Sequence, residues 1–320
     1  MNENIKKNLA IVLAADNYSA FALAVALLSL KTNSPRLFHQ ADFIVYTQNI
    51  DDKNKTTLQK ICKIDFRNFQ LPFGSDKIKT IKTYTELTLA RYECFYMLQQ
   101  YIDILWLDID ILITQELVNI LSRNTKGIAL AHDLNFVALN FLKKPVGNYN
   151  LRKRNFNAGV MLLSDNLSNY KEIADWCYNA TQQYAPLLRF PDQAIINVAL
   201  QHFRIRPAVL STHYNAHPFS ALVKTYQAHI LHAMGKNKFW TNCPMPQWSK
   251  FYGQWLHMGG APMPVQNVDL IKIIFFKLKL AIEKTPVLWN IFSFLNRYRF
   301  KKLNNKVLNR LLADYEKSNG

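Results

Sequence analysis

Apolar positions along this chain fall into short runs separated by polar turns, and their spacing alternates between the periods of strands and helices. Residues 8–14 read as a buried strand, 15–19 as a turn, and the Ala- and Leu-rich stretch 20–30 as a helix, together one strand–helix unit. Residues 43–47 predict a second strand, 57–62 a short helix and 64–66 a third strand. Leu87, Ala90, Tyr92, Phe95 and Leu98 recur at nearly helical spacing behind Thr85, a candidate N-cap, on a helix that carries Arg91. Residues 102–113, IDILWLDIDILI, then predict a buried strand interrupted by charge at Asp108 and Asp110. Further strands are expected at 127–131 and 156–163, a helix at 170–184, a helix opened by Pro191, and a last core strand over 228–234 ending at Gly235. The polar and basic stretch 134–154 is expected to form a mobile flap. This alternation predicts an α/β fold around a mostly parallel sheet.

Composition narrows the picture. With 49% hydrophobic residues, 320 positions suffice for one α/β catalytic domain and an extension. The 39 Lys and Arg against 22 Asp and Glu give a net charge of +17, which favours anionic partners: phosphorylated ligands, nucleic acid or acidic lipid. Cys62, Cys94, Cys177 and Cys243 are scattered, so neither a disulfide framework nor a zinc ribbon is expected, and the simplest home is a reducing cytoplasm. Lys6 and Lys7 precede an apolar region, but Asp16 and Asn17 interrupt it, and no stretch approaches the ~20 apolar residues of a membrane span. The Pro-rich stretch 243–264 reads as a connector between a catalytic unit, 1–242, and a tail, 265–320. The tail holds eleven basic against four acidic residues, a net charge of +7. In it Ile271, Ile274, Phe275, Leu278 and Ile282 share a helical face, although Ile273, Phe276 and Leu280 make the opposite side apolar too, Pro286 is expected to end that helix, and Trp289, Phe292, Phe294, Tyr298 and Phe300 interleave with Arg297, Arg299, Lys301 and Lys302. That pattern suits a peripheral anchor on anionic lipid; a helical layer packed on the core is the alternative.

Candidate chemistry centres on Asp108 and Asp110. Side chains two apart on a strand point the same way, and two ionised carboxylates side by side require a divalent metal, an Arg or a shared proton between them. Asp-x-Asp alone is common. Its place at a probable strand C-terminus, where open α/β sheets bind ligands, strengthens the reading. Far downstream, LHAMGKNKFW supplies His232, Gly235, Lys236, Lys238 and Trp240. Two carboxylates and an imidazole form a half-shell suited to Mn²⁺, and Lys238 beside Gly235 suits a diphosphate.

Taken in order, the turn Ala14-Ala15-Asp16-Asn17-Tyr18, the Arg91 helix, LWLDID, FNAGVMLL from Phe156, PDQ from Pro191 and HAMGKNKFW from His232 resemble glycosyltransferase family 8. The resemblance spans residues 9–240. It implies a GT-A fold, a nucleotide-sugar-binding architecture that takes a UDP-sugar and Mn²⁺, with Mg²⁺ as an alternative, and transfers the sugar with retention. It also implies roles. Ala14, Asp16 and Tyr18 would face uracil and ribose, Asp108 and Asp110 would hold metal and ribose, and His232 would complete the metal ligands. Gly235 and Lys238 would hold the diphosphate, while Arg91, Asn157, Asp192 and Gln193 would surround the donor sugar and Asp133 would meet a sugar hydroxyl. The expected acceptor is a glycan or lipid-linked glycan at the cytoplasmic membrane face, with no nucleic-acid partner. Phe239 stands where the family usually has Pro, and the first turn is compact, both bearing on which hexose is taken. Two rivals are a haloacid-dehalogenase-type phosphatase, which wants Thr or Val where this chain has Leu112, and a non-catalytic basic binding protein.

Overall fold

The computed structural model describes residues 6–124, 126–145 and 147–317. Its strands are β1 (Lys7–Ala14), β2 (Asp42–Thr47), β3 (Ile64–Asn68), β4 (Tyr101–Leu107), β5 (Ile111–Ile113), β6 (Ile128–Phe136), β7 (Arg154–Ser164), β8 (Ala208–Leu210) and β9 (Ile230–His232). Seven of them form one sheet in the order β3-β2-β1-β4-β7-β6-β8, and β5 and β9 form a separate ribbon. Within the seven-stranded sheet pairing is parallel except along β7, which runs antiparallel to both β4 and β6, and the β5–β9 ribbon is antiparallel. The fold is therefore α/β with a mostly parallel central sheet.

The helices are α1 (Ala20–Asn33), α2 (Pro35–Gln40), α3 (Asp52–Gln59), α4 (Ile81–Tyr84), α5 (Glu93–Met97), α6 (Tyr170–Tyr184), α7 (Pro191–His202), α8 (Pro246–His257), α9 (Leu270–Glu283) and α10 (Pro286–Lys317). Side-chain alternation on β1 divides the core into two layers. Leu9, Ile11 and Leu13 pack with α1 and α8, whereas Ala10 and Val12 pack with α6 and α7 on the other face. The first eleven residues of α1, Ala20 to Leu30, are all buried, which explains why it is apolar on every side.

Several local expectations are corrected. The run 102–113 is not one strand: β4 ends at Leu107, the chain bends through Asp108-Ile109-Asp110, and β5 joins the other sheet. The strand expected over 228–234 is only β9, and it pairs with β5 outside the central sheet. The Arg91 segment is a 3-10 helix, Glu86–Tyr92, continued by α5, and Thr85 does not cap it; Thr85 instead holds φ at 58°, a strained conformation for a β-branched residue. The flap is anchored at both ends, because β6 runs on to Phe136, Val137 and Ala138 bond to Lys153 and Leu151, and Phe141 is buried. Residues 243–264, expected as a connector, hold α8, whose Trp248, Phe251 and Trp255 fill the α1 layer. Pro286 opens α10 rather than merely ending α9.

The C-terminal helices dock through one unusual contact. On α9, Phe276 enters the α1 layer, and Lys279 and Glu283 form an ion pair that is almost wholly buried. The Glu283 carboxylate also accepts from Thr225, from the backbone N at 2.9 Å and from Oγ1 at 2.6 Å. Burial pulls the Lys279 ammonium below its usual range although Glu283 opposes this. Removing one buried charge strands the other, so Lys279→Met is expected to cost about 3–5 kcal/mol in denaturant unfolding, and Lys279→Met with Glu283→Gln to recover part of that loss.

Candidate active site

The order of strands reverses direction at β1, with β2 and β3 on one side and β4 on the other. Ligands in open α/β sheets bind outside the strand C-termini at such a switch point. The pairing Val12↔Trp106 sets the ends of β1 and β4 side by side, so the turn after Ala14 and the bend at Asp108 share one crevice. The bend, rather than strand alternation, makes Asp108 and Asp110 converge. The ribbon then solves the problem of reaching a residue far away in sequence: Ile111 pairs with His232, and Ala233 N donates to Asp110 O at 2.9 Å.

Each Asp is held by different partners. Asp108 Oδ1 accepts from Arg91 Nη2 at 3.0 Å and from Trp106 Nε1 at 2.9 Å. Arg91 also pairs through Nη1 with Asp192 at 2.7 Å, bonds to Ala158 O at 2.6 Å, and lies 5.0 Å over the Trp106 ring. Asp110 Oδ2 pairs with Lys238 Nζ. The remaining oxygens, Asp108 Oδ2 and Asp110 Oδ1, lie 3.5 Å and 3.0 Å from His232 Nε2.

A hydrogen-bond relay fixes the state of that imidazole. Asn157 Oδ1 accepts from Gly159 N at 2.9 Å and from Asn215 Nδ2 at 2.7 Å. Asn215 therefore turns its Oδ1 to His232 Nδ1, 2.8 Å away, and Nδ1 carries the hydrogen. In the neutral ring the Nε2 lone pair points at two carboxylate oxygens, an arrangement relieved by a proton on Nε2 or by a cation between them. Asp108, Asp110 and His232 offer ligand atoms all within 4.8 Å of one another and could hold a metal ion. The donors, two carboxylates and one imidazole, suit a divalent ion that retains positions for phosphate oxygens. Gly159 backs the cluster closely: a Cβ there would lie 2.2 Å from His232 Cε1 and 2.7 Å from Asp108 Oδ2.

Electrostatics follow this geometry. Burial alone would raise the Asp110 carboxyl, but Lys238 and His232 outweigh it and hold it well below the usual range. Burial would lower His232, yet Asp110 and Asp108 raise it above an ordinary histidine. For Arg91 burial is likewise overcome, by Asp108 and Asp192, so its guanidinium stays firmly charged. Asp192 is raised, first by burial, and Arg91 opposes the rise.

Two cavity lobes meet at this cluster. One, of about 390 Å³, is lined by Ala14, Asp16, Tyr18, Thr85 and Trp240. The other, of about 260 Å³, is lined by Asp133, Asn157, Asp192, Gln193, His232 and Gly235. Arg91, Asp108, Asp110 and Lys238 line both, so every residue to which the resemblance gives a role falls in one continuous crevice, while Lys236 lines neither lobe. Asp16 caps the 3-10 turn Asn17–Ser19 through Ser19 N at 2.9 Å, and Tyr18 stands exposed. Gly235 is required by its φ of 75° rather than by crowding, since nothing lies near its would-be Cβ. Gln193 is fixed at both ends, accepting from Asn157 Nδ2 at 3.0 Å and donating to Asn140 at 3.2 Å and Asp133 at 3.4 Å. Sequence reasoning missed Trp106, Asn140 and Asn215; only the neighbourhood of Trp106 to Asp108 offered a local signal.

Comparison with known proteins decides the family, because the model of Glycosyl transferase family 8 matches residues 10–243. The chain belongs to glycosyltransferase family 8. A Haemophilus influenzae relative named as a glycosyltransferase is 27% identical over 258 residues, covering 72% of each protein. Among solved structures, the galactosyltransferase LgtC in complex with donor and acceptor sugar analogues aligns with a TM-score of 0.56 and 20% identity over 81% of this chain and 98% of LgtC. The glycosyltransferase GlyE of Streptococcus pneumoniae aligns at 0.51 with 18% identity over 82% of this chain and 66% of its own. These similarities fix a GT-A-like architecture for this family 8 chain, and its helical C-terminal region adds to that core.

A divalent ion taken up by this cluster would displace a proton from His232, whose pKa is raised, so affinity for Mn²⁺ as a probe ion is expected to fall as pH drops through that pKa and to level off above it. A Mn²⁺ titration across pH should show about a tenfold loss per unit on the acid limb. Gly159→Ala should weaken Mn²⁺ binding at every pH while far-UV dichroism stays unchanged.

Proposed function

We propose that this family 8 glycosyltransferase moves a hexose from a UDP-sugar, UDP-galactose or UDP-glucose, to a glycan acceptor with retention of configuration, in the synthesis of lipopolysaccharide or another surface glycan. The observation that carries this reading is the cluster of Asp108, Asp110 and His232, able to hold a metal ion, at the junction of two lobes. In this reading the larger lobe takes uracil and ribose against Ala14, Asp16 and Tyr18. The smaller lobe takes the hexose among Arg91, Asp133, Asn157, Asp192 and Gln193, with residues 1–242 as the catalytic unit. The donor set favours Mn²⁺, with Mg²⁺ as an alternative, and the ion would supply positive charge to the diphosphate as it departs. Lys238, paired here with Asp110, is near enough to share the diphosphate, and Gly235 gives the loop its turn.

In the transfer step the bond between the anomeric carbon and the phosphate oxygen breaks while the acceptor hydroxyl oxygen bonds to the same face of that carbon. The hydroxyl proton passes to the departing phosphate oxygen. Two features favour this front-face route over a covalent intermediate. Asp192 is locked to Arg91 at 2.7 Å, and the Gln193 carbonyl oxygen is occupied by Asn157 at 3.0 Å, so neither stands ready as a nucleophile. Both remain placed to stabilise positive charge at the anomeric centre. The phosphatase reading loses ground because membership of this family accounts for Asp108 and Asp110, and the purely basic binding protein leaves their convergence with His232 without purpose.

The reading extends to a peripheral position at the cytoplasmic face of an anionic membrane. No described helix is long and apolar enough to cross a bilayer. On α9, Ile271, Ile274, Phe275 and Leu278 point outward, as do Phe294, Leu295 and Tyr298 on α10. Along α10 these apolar positions are interleaved with and followed by Arg297, Arg299, Lys301 and Lys302, a composition fit for lipid headgroups.

Two experiments test these claims. Mn²⁺-dependent UDP release from UDP-galactose or UDP-glucose should fall at least about a hundredfold in Asp110→Asn, and hydrolysis of simple phosphomonoesters instead would sink the transferase reading. Because Phe276 belongs to the core, deleting the tail would confuse folding with attachment. Replacing Ile271, Ile274, Phe275 and Leu278 together by Ser should instead lower sedimentation with phosphatidylglycerol vesicles while leaving Tm and UDP release intact; undiminished sedimentation would contradict the membrane face.

A further inference from the structure

Between the C-terminal side of the sheet and α10 lies another cavity, of about 430 Å³, lined among others by Asn135, Phe136, Arg154, Leu222, Arg297 and Lys301. Asn135 also lines the smaller lobe of the active-site crevice, so the two spaces share a wall. Arg154 comes from the first residue of β7, while Arg297 and Lys301 stand one helical turn apart on α10. Like charges at that spacing repel, and among the described residues none of the three forms an ion pair with a carboxylate. Three uncompensated cations around one cavity select an anion with several oxygens, the guanidinium forks of the arginines matching phosphate.

The surroundings specify more. Phe294 and Tyr298, on the same stretch of α10, are exposed at 71% and 66%, so an apolar surface borders the cationic cavity. A ligand with an apolar tail, a phosphate and a sugar head would meet the tail surface, the cations and the active-site crevice in that order. We propose that this cavity is an acceptor subsite for a phosphate group carried by a membrane glycolipid, which positions the acceptor sugar beside the donor lobe. The proposal rests on the transferase reading and names its acceptor class. It gives α10 a second task, since the helix that touches the membrane also forms one wall of the acceptor site. Phosphate headgroups of ordinary bilayer lipid share this chemistry, and the test separates the two sources.

Full-length protein is sedimented with phosphatidylcholine vesicles carrying dodecyl glucoside, the same vesicles carrying the phosphorylated glycoside glucosyl dodecyl phosphate, whose phosphodiester lies between tail and sugar, and phosphatidylcholine vesicles brought to equal surface charge with phosphatidylglycerol. The phosphorylated glycoside should raise binding at least about tenfold over the other two, and both Arg154→Glu and Arg297→Glu with Lys301→Glu should abolish that increment. The Mn²⁺-dependent thermal shift with UDP should be unchanged in these variants, because none of the three residues lines the donor crevice. Equal binding to the phosphatidylglycerol vesicles, meaning a general headgroup patch, or an increment that survives the substitutions would overturn the proposal. Loss of the UDP shift in the wild-type protein would instead refute the transferase reading, leaving the vesicle comparison to decide the subsite by itself.

Discussion

The structure turns on the cost of placing like charges together in a partly buried crevice. Among the described residues Asp108, Asp110 and Asp192 pair with two permanent cations, Arg91 and Lys238, and the imidazole of His232 supplies the balance when it carries a proton or meets a metal. Each partner comes from a different segment: the 3-10 turn before α5, the bend after β4, the end of β9, the loop beyond it, and the first turn of α7. Bringing these together against their mutual repulsion is what the two-layered core accomplishes. The cluster consequently concentrates three carboxylates in a partly buried crevice and offers ligand atoms that could hold a metal ion.

Rigidity around the cluster has identifiable sources. The relay from Gly159 through Asn157 and Asn215 sets the His232 tautomer, so the direction of the Nε2 lone pair is decided by residues that themselves approach no metal position. Asn157 and Asn140 also hold the Gln193 amide. One network therefore holds both the His232 imidazole and the Gln193 amide, so a change at the candidate metal cluster is felt in the shape of the smaller lobe.

Much of this was legible in the sequence, and the limits have physical reasons. Alternating apolar runs predicted the α/β layering because parallel strands buried on both faces leave an unmistakable pattern, as in residues 8–14. The order of motifs through Asp108, Asp110, Asp192 and His232 predicted the membership of the crevice. What periodicity could not reveal was the break in 102–113: β4 and β5 are both apolar, and only their different pairing partners separate them. The pairing of Ile111 with His232 is likewise a long-range fact with no local signature. Asn215 lies in a polar turn like many others, and its role appears only once its hydrogen bonds are seen. The prolines of 243–264 suggested a connector, whereas Trp248, Phe251 and Trp255 carried the stronger signal of burial. In the tail, the outward-facing apolar stripe was visible, but the docking through Phe276 and the Lys279–Glu283 pair was hidden by an apolar residue pattern that covers both sides of α9.

The account stands on one cation held by two carboxylates and one imidazole, and this is open to direct spectroscopic measurement. Pulsed electron paramagnetic resonance of Mn²⁺ bound to the full-length protein with UDP should show hyperfine coupling to a single imidazole nitrogen, and His232→Gln should remove it. Stoichiometric Mn²⁺ binding with no nitrogen coupling, or coupling that persists in His232→Gln, would contradict it.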